Sequence, residues 1–113
     1  MPDRKPSALI GDMLRAIDHV SAYTHNISFL EFSKNFMAAE ACLYNIQVLG
    51  EAVSRLPEAV KLQYPDVPWA LIKGMRNRLI HEYFGTDLPV VWDVITIELP
   101  VLKPILEKIQ KEL

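Results

Sequence analysis

The chain has 113 residues, half of them hydrophobic, and a formal net charge of -2, a weakly acidic balance that excludes a general polyanion binder, because such affinity needs many Lys and Arg contacts acting together. Its one cysteine, Cys42, excludes an internal disulfide and a cysteine-rich metal site. No apolar run approaches the roughly 20 residues that span a bilayer, and Met1 to Pro6 leads into no segment of signal length, so a cytoplasmic protein without membrane association is expected.

At this length a single domain over residues 1–113 is expected, burying roughly two thirds of its unfolded surface. The mean hydropathy of +0.12 is high for so small a domain and predicts that part of its surface is covered by a partner, in an oligomer.

Leu9, Met13, Leu14, Ile17, Val20 and Tyr23 recur at helical spacing and predict a first helix over about 7–25, with Ser7 as N-cap. Residues 26–32 break the pattern. A long second helix is expected from a Ser33 cap to Leu56, where Leu-Pro ends it. Its apolar stripe is Ala39, Cys42, Ile46, Leu49, Val53 and Leu56, and its polar stripe Glu40, Gln47, Glu51 and Ser54.

A short helix over about 57–64 follows, then a rigid connector, Tyr64-Pro65-Asp66-Val67-Pro68. Trp69 to about Tyr83 predicts a further helix, ended by Gly85. Asp87 is the expected N-cap of the last one, which carries Val91, Trp92, Ile95, Leu99, Leu102, Leu106 and Ile109 inward and is bent by Pro100 and Pro104. With no β alternation, repeat or glycine-rich loop, the expected class is all-α, an up-and-down bundle of four to five helices.

The chemistry concentrates in Arg76-Asn77-Arg78-Leu79-Ile80-His81-Glu82-Tyr83. Arginine grips phosphate oxygens with a planar fork, and histidine is the side chain best suited to moving protons near neutral pH. In an ideal helix Arg76 shares an arc with Ile72, Leu79 and Tyr83, so a cation sits among apolar neighbours. It needs a carboxylate, for which Glu51 and Glu40 are the candidates, or an anionic ligand.

His81 instead aligns with Ala70, Gly74 and Asn77, a narrow small-residue stripe that would let a second helix approach closely. Positions 76 and 81 are about 140 degrees apart. Convergence on one phosphate therefore requires the reach of arginine, a loosened turn, or a two-fold dimer. His19, His25 and His81 offer no ligand set, so neither a metal nor another cofactor is expected. Cys42, Trp69 and Trp92 read as packing residues.

The Arg-x4-His-x-Tyr element resembles the signature of the HepT-like ribonuclease toxins, within the HEPN group of small helical nucleases. The resemblance extends to Gly50-Glu51-Ala52, to Trp69 with Met75-Arg76-Asn77, and to Val91-Trp92-Asp93 with Leu99-Pro100. It implies a homodimer with the motif lining a shared cleft, and metal-independent RNA cleavage through a 2',3'-cyclic phosphate. In that scheme Arg76 and His81 are catalytic, and Asn77, Arg78 and Glu51 support them, Glu51 chiefly as a structural partner of Arg76.

The resemblance also implies a type VII toxin–antitoxin system, in which a nucleotidyltransferase antitoxin of the MNT type adds AMP to Tyr83 and so blocks the phosphate site. The competing expectation is a non-catalytic helical partner or substrate-binding module of a minimal nucleotidyltransferase. An adaptor of that kind has no physical need to keep Arg76, His81 and Tyr83 together.

Overall fold

The structure, a computed structural model, describes residues 4–84 and 87–113, with the side chains at 76 and 78–84 outside the description. Pro6 opens α1 (Pro6–Thr24), where its missing N–H would have had no partner. The expected Ser7 cap is not used: Lys5 holds the N-cap position without a side-chain bond, and Ser7 lies inside the helix with its carbonyl accepting from Gln110 Nε2 at 3.2 Å. Leu9, Ile10, Met13, Ala16, Ile17 and Val20 form the buried face.

Beyond α1, Asn26 takes a φ of 59°, a left-handed conformation that asparagine tolerates well. The chain then re-enters helix earlier than expected. Ser28 and Glu31 form a capping box, Glu31 N–H donating to Ser28 Oγ at 3.1 Å and Ser28 N–H to Glu31 Oε1 at 3.0 Å, and it starts the short helix α2 (Phe29–Lys34). Ser33 is therefore no cap; its hydroxyl donates to the Leu30 carbonyl. Ser28→Ala should cost about 1 kcal/mol in chemical denaturation, whereas Ser33→Ala should be near neutral.

Asn35 performs the capping expected of Ser33, its Oδ1 accepting from Ala38 N–H at 3.1 Å to start α3 (Phe36–Arg55). All six residues of the apolar stripe are buried, and Glu40, Gln47, Glu51 and Ser54 are all exposed. α4 (Glu58–Gln63) follows Pro57. The connector after it is tied down by Trp69, whose indole N–H is shared between the carbonyls of Tyr64 at 3.1 Å and Lys61 at 3.3 Å. The Tyr64 hydroxyl donates to Glu112 at 2.7 Å, which holds its pKa above the usual phenol value.

Trp69 begins α5 (Trp69–Phe84). The last helix, α6, runs continuously through Leu88–Asp93, a π-helical turn at Val94–Glu98, and Leu99–Glu112. The irregularity expected of the prolines takes the form of this wide turn just ahead of Pro100. Leu99 N–H reaches back to Val94 O, a longer loop that suits a helix about to lose donors at Pro100 and Pro104. Asp87 stands at the N-cap position without a side-chain bond.

Four long helices make the bundle: α3 packs on α1 and on α5, α1 packs on the C-terminal part of α6, and α5 meets the start of α6. Short α2 lies against α3 and the start of α6, where Phe32 and Trp92 pack with ring centroids 4.9 Å apart. Among the described residues no polar or charged side chain is buried, so the core is wholly apolar. Cys42 belongs to it; burial pushes its thiol up to about 12, which makes it an inert packing group. No described helix is long and apolar enough to cross a membrane.

Candidate functional site

Every residue of the Arg-x4-His-x-Tyr set falls on α5, so one continuous helix carries the whole element, as the periodicity predicts. Its described residues divide cleanly. Trp69, Ile72 and Met75 are buried, whereas Ala70, Gly74 and Asn77 are exposed. A Cβ built on Gly74 would meet no atom within 4 Å, so the small-residue stripe is uncovered in the single chain. The side chains of Arg76, Arg78, His81 and Tyr83 lie outside the described residues.

Glu51 stands exposed on α3, the helix that packs against α5. Glu40, the other candidate carboxylate, is exposed on the same helix, and each has an interaction partner. Glu51 also borders a groove of about 520 Å³ between α1 and α3, with Asp12, Tyr44, Gln47 and Arg55 among its neighbours. Among the described residues no three His, Cys, Asp or Glu side chains come together as metal ligands.

Sequence reasoning missed a second constellation, in an adjoining groove of about 540 Å³ between the same two helices. His19 and Tyr23 of α1 face Tyr44 and Asn45 of α3 across it. His19 and Tyr23 sit one helical turn apart, which is legible in the sequence; that Tyr44 and Asn45 lie opposite them depends on how α1 pairs with α3. At its α1 edge Arg4 and Arg15 share the carboxylate of Asp12, at 2.9 and 2.7 Å.

The molecule is thus an all-α bundle whose α5 contains an arginine, a histidine and a tyrosine at the sequence spacing Arg-x4-His-x-Tyr. The family described as "Ribonuclease HepT-like" matches residues 13–109, and the chain belongs to that family. Relatives span the chain at similar length. "Putative RNase MJ1216" of Methanocaldococcus jannaschii is 36% identical over 113 residues, all of this chain and 93% of the relative. "Putative RNase TTE0752" of Caldanaerobacter subterraneus is 34% identical over 110 residues, covering 96% of this chain and 98% of the relative. "Probable ribonuclease HepT" of Thermococcus cleftensis is 33% identical over 100 residues, 88% of this chain and 91% of the relative. No solved structure matches the chain with significance. Membership of a ribonuclease family supports an RNase activity, with RNA as the substrate.

Proposed function

We propose that this chain, as a single domain over 1–113, is a metal-independent endoribonuclease toxin whose antitoxin is a nucleotidyltransferase of the MNT type. What carries the reading is the family match over residues 13–109 together with the placement of the whole Arg-x4-His-x-Tyr set on α5. His81 takes the proton of a ribose 2'-hydroxyl. The freed O2' bonds to the adjacent phosphorus, and the bond from phosphorus to the 5'-oxygen of the next nucleotide breaks. That oxygen leaves with a proton returned by an acid, and a 2',3'-cyclic phosphate remains.

Arg76 neutralises the charge growing on the non-bridging oxygens through paired N–H donors. Asn77 and Arg78 orient the phosphate and its neighbour, and Glu51 holds the guanidinium. A homodimer reconciles the separation of about 140 degrees between positions 76 and 81, because a second copy brings its own motif to the same cleft. The uncovered line of Ala70, Gly74 and Asn77 supports close helix approach there. AMP on Tyr83 would put a bulky anion beside Arg76 and close the site to RNA.

The test is cleavage of RNA by purified protein in EDTA, with the 3' ends of the products analysed for cyclic phosphate, followed by incubation with the companion nucleotidyltransferase and ATP. The expected result is cyclic-phosphate products without metal, and loss of cleavage as AMP mass appears on the wild type but not on Tyr83→Phe. Absence of cleavage under all conditions favours the non-catalytic partner, and AMP on another residue overturns the Tyr83 assignment.

A further inference from the structure

The groove between α1 and α3 has the dimensions of a ligand site, and Glu51 at its edge is the one lining residue with a role in the chemistry above. Its two sections, about 540 and 520 Å³, each fall within the range of small-molecule pockets. Asp12, Tyr44 and Val48 line both, so the Tyr44 ring stands at the divide. Tyr44 is 60% exposed and belongs to no described aromatic pair. A tyrosine so placed contributes little to the core and holds a flat π face open to solvent.

The opposite wall is chemically specified. Asn45 Nδ2 donates to the Ala41 carbonyl at 2.9 Å, which can only accept, so Asn45 Oδ1 is the atom turned to His19 Nδ1 at 3.2 Å. His19 must therefore carry its proton on Nδ1. In the neutral ring Nε2 is left as an acceptor, suited to the exocyclic amine of a base or to a 2'-hydroxyl. Tyr23, 43% exposed, stacks obliquely beside it at a centroid separation of 6.2 Å.

Charge decides what such a groove can hold. Among its lining residues Arg15 and Arg55 are balanced by Asp12 and Glu51, so the groove carries no net formal charge. That is too little to follow a phosphate backbone by electrostatics, whereas aromatic faces give sequence-tolerant affinity for unpaired bases.

We propose that the α1/α3 groove is a base-stacking subsite for single-stranded RNA, deepening and resting on the ribonuclease reading. Tyr44 is the platform for an unpaired base, Tyr23 and His19 are the facing wall, and Arg15 meets one flanking phosphate. The subsite selects unpaired over duplex RNA because paired bases present no free face to Tyr44. The groove lies on α3, the helix that also packs against α5.

The experiment measures the Kd of a short single-stranded RNA for His81→Ala protein, alone and combined with Tyr44→Ala or Tyr44→Phe, and KM for the same RNA in the otherwise unaltered enzyme. Tyr44→Ala should weaken binding roughly tenfold or more and raise KM with little change in kcat, while Tyr44→Phe keeps the ring and the affinity. Leu71→Ala, exposed elsewhere on the bundle, should leave both unchanged. Wild-type affinity in Tyr44→Ala, or equal loss in both Tyr44 variants, overturns the subsite while the ribonuclease reading stands. An unaltered protein that neither binds nor cuts RNA removes both.

Discussion

His81→Ala is expected to abolish RNA cleavage, lowering kcat by about two to four orders of magnitude, the usual contribution of a positioned general acid or base. The argument is one of protonation. Removing a proton from a ribose hydroxyl near neutral pH needs a group that is partly unprotonated there, and His81 is the only imidazole on α5. Alanine is the strongest helix former, so the substitution should leave α5 intact.

Circular dichroism and sedimentation should show unchanged helicity and assembly state, which separates lost chemistry from lost structure. Arg76→Lys is the informative companion: it keeps the charge and loses the fork, so it should retain a larger residual rate than His81→Ala. Cleavage at the normal rate by His81→Ala would remove this residue from the mechanism.

Phe32→Ala is expected to have the largest effect on folding, about 3–5 kcal/mol out of a total of about 5–15 kcal/mol for a domain of this size. Phe32 is 0% exposed, and its ring lies 4.9 Å from that of Trp92, which also meets Phe29 at 6.0 Å. This cluster clamps α2 to the first turns of α6, the segment that resumes the chain after α5. Truncation leaves a void that the apolar neighbours close only in part, so both the transfer energy and the packing are lost.

Urea denaturation should show a reduced midpoint with an unchanged slope, and the thermal midpoint should fall by more than about 10 °C. Phe32→Leu, which keeps most of the volume, should cost much less. A loss below about 1 kcal/mol for the alanine variant would mean that the clamp does not hold the bundle together.

The two predictions differ in how far each was legible from residues alone. Trp69 to about Tyr83 reads as a helix carrying the Arg-His-Tyr set because apolar recurrence and residue spacing are local properties, and the family match rests on the same local order. The helix at 29–34 escaped that reading because six residues are too few to display a 3.6-residue period. What stabilises it is Phe32 against Trp92, far along the chain. The Ser28-x-x-Glu31 box is the local sequence signal that marks its start.

Periodicity and capping thus determined the all-α class, the four long helices, the burial of Cys42 and Trp69, and the exposure of the Glu40, Gln47, Glu51 and Ser54 stripe. Only the tertiary structure decided that α1 and α3 lie side by side, that Tyr44 stands opposite His19, and that Asn45 turns its carbonyl oxygen to that ring. The physical reason is that a helix wheel reports which face of one element is apolar, whereas a groove is made by two faces, and their pairing is set by how the whole core closes.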